Sequence, residues 1–376
     1  MLALLLHLGF GLALSLAAGA PAASPPASPA PAASPTSAGL PAPVLTPAAA
    51  ARLPKPARII LAEDPQASDA FKPDAERVRW MVDRGLTALT QKRSATAAWL
   101  SLVAVKDVVG LKVCAAPGPD SGTRPAVVAA LVEGMLQAGL SPTNIVVWDR
   151  RRSDLRRAGF LELQERFGIR LEGSADAGFD EETAYSPERP VLGQLVYGDL
   201  EFGRKGEGVG RRSFVSRLLT HQLTKIITVT PLLNHNSAGV NGHLFSLSLG
   251  SVDNVLRFEG DLFRLATAVP EIYALPAVGD KVVLNVTDAL TCQYQGEQVS
   301  LLHYAVPLNQ LWLSQDPVAL DVMGLQELER VRVAAGGVPT QPATRTNQME
   351  LFLNASVLLE LGNADLGAAT VQKVGR

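Results

Sequence analysis

The chain has 376 residues, with 34 basic and 36 acidic side chains and a formal net charge of −2. This balance excludes a nucleic-acid-binding protein or a membrane-surface protein that is held by bulk positive charge. Two cysteines are too few for a disulfide-rich scaffold, a zinc ribbon or a cysteine-ligated iron–sulfur cluster. The charges are unevenly spread, because no Lys, Arg, Asp or Glu precedes Arg52.

The amino-terminal segment up to Pro56 has two parts. Residues 2–16 are mostly Leu, Ala and Gly, and small residues follow up to Ala20, which is typical of a secretory signal peptide. Cleavage is expected after Ala17 or Gly19. An uncleaved anchor is the alternative, because no basic residue precedes the apolar run. Residues 21–56 contain 11 prolines among Ala, Ser and Thr and show no apolar periodicity, so we expect a disordered linker.

These features predict an exported protein that acts in the periplasm or outside the cell. They assign a signal peptide to residues 1–20 and a linker to residues 21–56. No second apolar run is long enough to span a membrane, so no transmembrane segment is expected after the signal. The remaining residues, 57–376, are enough for one large α/β domain.

The first elements of this domain are the clearest. Val108–Ala115 predicts a strand, Arg124–Ala138 an amphipathic helix, and Asn144–Trp148 a second strand. We expect Thr123 to cap the helix, Pro125 to lie in its first turn and Gly139 to end it. Strand, helix and strand at this spacing form a βαβ unit, which implies parallel strands and a right-handed crossover.

The same alternation continues towards the carboxyl terminus. Further strands are predicted at Lys225–Thr230, Val282–Thr287 and Gln310–Leu313, and helices at Phe214–Gln222, Gly239–Leu249, Glu259–Val269, Pro317–Val333 (opened by Asp316) and Asn347–Leu361. Residues 171–213 are rich in Gly, so hairpins or an inserted subdomain are expected there. The predicted fold is α/β, with a mainly parallel sheet between two layers of helices in a Rossmann-like sandwich.

An ordered series of short motifs resembles the domain-of-unknown-function three-six-two family. The series is Asp107-Val-Val-Gly-Leu-Lys112, Ser121-Gly-Thr-Arg-Pro125, Asn144-Ile-Val-Val-Trp-Asp-Arg150, Lys225-Ile-Ile-Thr-Val-Thr-Pro231, Ser237-Ala-Gly-Val240, Asp288-Ala-Leu290, Tyr294-Gln-Gly296 and Gln315-Asp-Pro-Val-Ala-Leu-Asp321. The resemblance covers residues 75–365. It implies the α/β fold but no activity, because the family has no settled one. Some members carry ferredoxin-type cluster motifs, and this chain has none.

The chain departs from the family pattern in the region that most resembles a site. Cys114 stands where relatives usually have Asn, and Asn234 stands where they have Lys. The sequence Leu244-Phe245-Ser246 replaces Leu-Lys-Asn. Two lysines of the family pattern are therefore absent, which favours a binding member over a catalytic one.

In a parallel α/β sheet, ligands bind beyond the carboxyl ends of the strands. The residues assigned to ligand binding there are Lys112, Arg150, Asn234, Asn236 and Asp288, and those assigned to acid–base catalysis are Asp149 and His235. The Arg150 guanidinium and the Lys112 ammonium are suited to hold negative charge, and a buried lysine needs a partner. A plain basic turn is the alternative for Arg151 and Arg152.

Other chemistry is not indicated. No Walker loop, GxSxG elbow, GxGxxG fingerprint or paired metal-ligand spacing occurs, so neither a metal site nor a named cofactor is predicted. Cys114 and Cys292 both follow apolar strands, and an oxidising compartment would permit a disulfide between them.

Two interpretations of function remain open. In the first, the exported domain binds a small anionic or polyhydroxylated ligand in a polar cleft, with acid–base catalysis there. In the second, it is a non-catalytic binding or scaffold module that is tethered by its linker. The enzymatic interpretation requires that Lys112, Asp149, Asn234 and Asp288 converge on one pocket.

Overall fold

The structure is a computed structural model, and it describes residues 56–186, 192–297 and 299–376. The signal peptide expected at residues 1–20, and all but the last residue of the linker expected at 21–56, lie outside the described residues. Within these three ranges, no helix combines the length and the apolar character needed to cross a bilayer.

Strands and helices alternate along most of the described chain. The strands are β1 (Arg58–Glu63), β2 (Ser68–Asp69), β3 (Lys72–Pro73), β4 (Val109–Val113), β5 (Ile145–Asp149), β6 (Arg170–Gly173), β7 (Phe179–Tyr185), β8 (Ser213–Ser216), β9 (Lys225–His235), β10 (Gly239–Val240), β11 (Val282–Gln293), β12 (Ala305–Ser314) and β13 (Thr370–Gly375). The α-helices are α1 (Ala75–Thr90), α2 (Ala95–Leu102), α3 (Pro125–Gln137), α4 (Arg152–Arg157), α5 (Leu161–Phe167), α6 (His243–Ser251), α7 (Leu262–Tyr273), α8 (Pro317–Ala334) and α9 (Pro342–Leu353).

The central sheet has the strand order β13-β1-β12-β11-β9-β4-β5-β6. Strand β12 runs antiparallel to both of its neighbours, β1 and β11. All other neighbours in this order are parallel. Strand β10 forms a short antiparallel pair with the end of β9. The predicted mainly parallel α/β sheet is therefore confirmed.

Two apolar cores cover the two faces of the sheet. Consecutive strand residues point to opposite faces, so Ile59 and Val146 belong to one core, whereas Ile60 and Val147 belong to the other. The first core is completed by residues of α6, α7, α8 and α9, and the second by residues of α1, α2 and α3. This burial on both faces explains why the strands read as continuous apolar runs rather than alternating ones.

The βαβ unit predicted from the sequence is present as β4, α3 and β5. Pro125 lies at the first position of α3, as expected, and Gly139 follows its end with φ +96°. The role predicted for Thr123 is wrong, because its hydroxyl does not cap the helix. Instead the hydroxyl donates to the Val229 carbonyl (2.6 Å) and accepts from the Cys114 N–H (3.0 Å), so it fastens the end of β4 to β9.

The helix predicted at Phe214–Gln222 is also wrong. Ser213–Ser216 form β8, which pairs with β7, and only a short π-helical turn follows at Leu218–Gln222. The Phe214 N–H donates to the buried carboxylate of Asp253 (2.6 Å). A tertiary partner for the backbone thus overrides the local helical pattern.

Several element boundaries differ from the expected ones. Strands β9 and β11 continue beyond the predicted Thr230 and Thr287. Helix α6 starts at His243 because the two residues of β10 before it pair with β9. The last helical pattern begins earlier than expected, at Pro342.

Asp316 caps α8, as the sequence predicts. Its carboxylate accepts from the Ala319 N–H (2.9 Å) at the start of the helix. It also accepts from the Asn363 N–H (2.9 Å), so the same side chain holds the segment that leads to β13.

We expect the substitution Asp316→Ala to lower the free energy of unfolding by about 2 kcal/mol, because two backbone N–H groups lose their acceptor. Asp74→Ala is the matched control. Asp74 is exposed and caps α1 through one contact, to the Arg77 N–H (3.0 Å). Its loss should cost about 1 kcal/mol. Urea unfolding of both variants measures the difference, and equal losses would contradict the second role of Asp316.

Candidate functional site

The carboxyl ends of β4 and β5 hold a buried ion pair. Lys112 Nζ lies 2.9 Å from Asp149 Oδ1, and the two side chains are 2% and 10% exposed. The ammonium also donates to the Val113 carbonyl (2.7 Å) and to Ser246 Oγ (3.0 Å). An ammonium has three protons, so these acceptors occupy all of them. Lys112 therefore has its required partner but no proton free for a ligand.

Asp149 is equally engaged. Its Oδ1 atom accepts from the Arg150 N–H (2.8 Å) as well as from Lys112, and its Oδ2 atom accepts from the Ala115 N–H (2.7 Å). The carboxylate thus fixes the backbone that leaves β4 and the backbone that leaves β5. Asp149 lines the site, but its contacts are those of a structural clamp.

Gly250 makes room for this ion pair in the helix that covers it. A Cβ atom at position 250 would lie 2.3 Å from Lys112 Cε, well inside van der Waals contact. Helix α6 can therefore approach the ends of the strands closely only because this residue has no side chain.

Arg150 is held at one edge of its guanidinium. Its Nη1 atom donates to the carbonyls of Leu249 (3.0 Å) and Val252 (3.1 Å), at the carboxyl end of α6. Helix carbonyls at this end lack partners inside the helix, so a cation is favoured there. Among the described residues, no acceptor meets its Nε and Nη2 atoms. Burial lowers the pKa of Arg150, and neighbouring carboxylates counteract this effect.

These three side chains line a pocket of about 620 Å³ between the strand ends and α6. This volume lies within the range of small-molecule sites. The apolar lining residues are Ala116, Val196, Tyr197, Phe245, Leu249, Val255 and Leu256, and the further polar ones are Arg151, Asp154, Asn241, Ser246 and Glu259. Cys114 and Gly250 complete the lining. Arg150 thus presents a fixed positive charge to a largely apolar pocket.

The residues of the β9–β10 turn do not line this pocket. Asn234 accepts from Arg332 Nη2 (2.7 Å) and donates to Asn236 Oδ1 (3.1 Å). His235 Nδ1 accepts from the Ala238 N–H (3.1 Å), and burial lowers the pKa of His235 to about 4. Its imidazole is therefore neutral near pH 7 and stabilises the turn.

Asp288 does not line the pocket either. Its carboxylate accepts from the backbone N–H (2.9 Å) and from Nη1 (3.1 Å) of Arg124, and both side chains are almost completely buried. Arg124 is the residue before α3, so this carboxylate also lies at the positive end of that helix. The expected convergence of Lys112, Asp149, Asn234 and Asp288 is therefore wrong. Only Lys112 and Asp149 meet, because other elements bind the remaining two side chains.

The disulfide that an oxidising compartment would permit is not formed, since Cys114 and Cys292 are both free and buried. Cys114 follows β4 and Cys292 lies in β11, on opposite sides of β9. Two strand spacings amount to about 10 Å, which exceeds the Cα separation that a disulfide spans. The Cys114 sulfur instead accepts from Asn241 Nδ2 (3.0 Å). Burial, and the charge of Asp149, raise the pKa of Cys114 to about 12, so it is a neutral thiol.

Helix α6 is also fixed at its amino end, by a residue from α8. Asp321 accepts from the N–H groups of His243 (2.7 Å) and Leu244 (2.9 Å). Burial raises the pKa of Asp321 to about 7, although the two backbone N–H groups counteract this effect. In the described part of the chain, no group of three His, Cys, Asp or Glu residues is arranged to hold a metal ion.

The sequence does not predict several of the pocket residues. Ligand sites are expected at the ends of parallel strands, and Asn241, Ser246 and Glu259 lie elsewhere. Ser246 carried one signal, since it occupies a position where the family pattern departs. Glu259 and Tyr197 carried none, because loops bring them to the pocket.

The substitution Asp149→Asn should lower the free energy of unfolding by about 3 kcal/mol, because it leaves the Lys112 charge buried without its partner. Adding Lys112→Met should recover part of this loss, so the two substitutions should not be additive. Glu327→Gln is the control, because Glu327 pairs with Arg330, whose side chain is 63% exposed. This substitution should lower the free energy of unfolding by less than about 1 kcal/mol. Urea unfolding at pH 7 measures the wild type, both single variants of the pair, the double variant and the control. Additive losses would contradict the coupling.

The chain matches no family model and no curated protein, so the resemblance to the domain-of-unknown-function three-six-two family stays a prediction. Two solved structures are similar to it. A protein from Thermotoga maritima shows 11% identity and a TM-score of 0.40, with 72% of this chain and 61% of that chain covered. The lactate racemase apoprotein from Thermoanaerobacterium thermosaccharolyticum shows 10% identity and a TM-score of 0.40, with 68% and 55% covered. The chain thus spans less than two thirds of the length of either protein.

Proposed function

We propose that this protein binds a small molecule with an anionic group, a carboxylate or a phosphate, in the pocket between the ends of β4 and β5 and helix α6. The observation that carries the proposal is the Arg150 guanidinium. Its Nη1 atom donates to the carbonyls of Leu249 and Val252, its Nε and Nη2 atoms meet no acceptor among the described residues, and its side chain lines a pocket of about 620 Å³.

The chemistry of arginine supports this function. A guanidinium is always charged in proteins and offers parallel donors that match the two oxygens of a carboxylate or phosphate. Because Leu249 and Val252 already fix Arg150, a ligand would not have to order a flexible side chain. Such preorganisation increases affinity.

The surroundings of the pocket favour binding over acid–base catalysis. Asp149 and Lys112 satisfy each other, and His235 lies outside the pocket. The raised pKa of Cys114 makes it a poor nucleophile. These contacts support the non-catalytic interpretation, with which the loss of two family lysines agrees.

Titration calorimetry with two pairs of probes tests this function. We expect 4-methylpentanoate or glycerol 3-phosphate to bind, and the neutral analogues 4-methylpentanamide and glycerol not to bind. Arg150→Gln should bind the anion at least tenfold more weakly, because the fixed charge is lost. This change corresponds to about 1.4 kcal/mol of binding free energy. Arg156→Gln is the control, since Arg156 is exposed and outside the pocket.

Circular dichroism should show that Arg150→Gln keeps its fold. The proposal fails if neither anion binds to the wild type. It also fails if the folded Arg150→Gln variant binds the anion as tightly as the wild type does.

We further propose that binding takes place outside the cytoplasm, since the uncharged segment before Arg52 has the pattern of a signal peptide followed by a linker. In a bacterial host, the exported protein should lack the residues up to Ala17 or Gly19. Intact-mass spectrometry of the periplasmic and medium fractions measures this. A full-length chain confined to the cytoplasm would contradict the proposal.

A further inference from the structure

One carboxylate of the pocket lacks a hydrogen-bond or ion-pair partner among the described residues. Glu259 lines the pocket together with Arg150, but among the described residues its carboxylate has neither a hydrogen bond nor an ion pair within 4.0 Å. Most other acids near the pocket are engaged. Asp149 is bound to Lys112, and Asp154 pairs with Arg157. Arg150 and Glu259 are thus two opposite charges in one pocket, and each is open to a ligand.

The charge around Arg150 argues against a ligand with two negative charges. Asp199, Glu259 and Asp253 all act on its guanidinium, against one neighbouring cation, Arg151. Asp199 and Asp253 are satisfied by backbone N–H groups, at 2.6–3.0 Å. A phosphate at Arg150 would face this negative potential, which Arg151 offsets only in part. A single carboxylate that brings its own positive charge would carry its own compensation.

The walls of the pocket define the rest of the ligand. Phe245 and Leu249 of α6 form one buried side. Leu256 is 48% exposed and Tyr197 is 89% exposed, although both are large apolar groups beside a pocket. Covering such groups with an apolar ligand body releases water and stabilises a complex.

We propose that the ligand is a zwitterion with an apolar body, an apolar α-amino acid or a short apolar peptide. Its carboxylate binds the open edge of Arg150, its ammonium binds Glu259, and its apolar part packs against Phe245, Leu249 and Leu256. This inference rests on the proposed function, because it uses the same pocket and the same arginine.

Titration calorimetry of the whole protein tests the inference with four probes. L-Leucine and L-leucyl-L-leucine are zwitterions of the two sizes, 4-methylpentanoate lacks the ammonium, and 3-methylbutylamine lacks the carboxylate. At least one zwitterion should bind at least tenfold more tightly than either of the other two probes. The zwitterion that binds distinguishes an amino acid from a peptide.

Glu259→Gln separates the two contacts. This variant should bind the zwitterion at least tenfold more weakly than the wild type does, and it should bind 4-methylpentanoate with unchanged affinity. The retained binding of 4-methylpentanoate shows that the pocket is folded. Glu162→Gln is the control, since Glu162 is exposed on α5, outside the pocket. It should bind all probes as the wild type does.

The results distinguish this inference from the proposed function. If 4-methylpentanoate binds as tightly as the zwitterions, or if only glycerol 3-phosphate binds, and Arg150→Gln weakens that binding, the zwitterion inference is overturned and the anion site stands. If none of these probes binds to the wild type, both are overturned.

Discussion

A lysine buried at the end of a parallel strand imposes a constraint on everything around it. The charge of Lys112 can remain inside the protein only because a carboxylate and two oxygen acceptors surround its ammonium. Asp149 supplies the carboxylate from the next strand, and Ser246 supplies an acceptor from α6. The pair therefore fixes the separation of two strand ends and the position of the helix above them. Gly250 is required where that helix passes over the lysine.

The wall of the pocket is a helix whose two ends are both satisfied by distant side chains. Asp321 accepts from the N–H groups at the start of α6, and Arg150 donates to the carbonyls at its end. Arg150 therefore stabilises the helix through Nη1, while its Nε and Nη2 atoms meet no acceptor among the described residues, which is the basis of the proposed anion site. An anion at Arg150 would therefore also act on the helix that forms the pocket wall.

Local patterns were reliable where a residue serves its own element. The βαβ unit from β4 to β5 and the Asp316 cap were predictable, because apolar periodicity and helix caps depend on residues close in the chain. Local patterns failed where the hydrogen-bond partner of a residue lies in a distant part of the chain. Phe214 lies in a strand and donates its N–H to Asp253, Thr123 fastens two strands rather than capping α3, and Asp288 anchors the start of that helix instead of lining the pocket. The antiparallel strand β12 carries no local signal of its direction.

The sequence by itself determined the fold class, the carboxyl ends of β4 and β5 as a candidate site, and Lys112, Asp149 and Arg150 as members of it. These follow from strand patterns and from the cost of burying a charge, which are properties of single segments. Only the tertiary structure decided that Asn234, His235 and Asp288 lie elsewhere, that the cysteines are unbridged, and that Glu259 and Tyr197 reach the pocket. The reason is that hydrogen-bond partners far apart in the chain compete for each polar side chain, and the fold alone sets which of them are within reach.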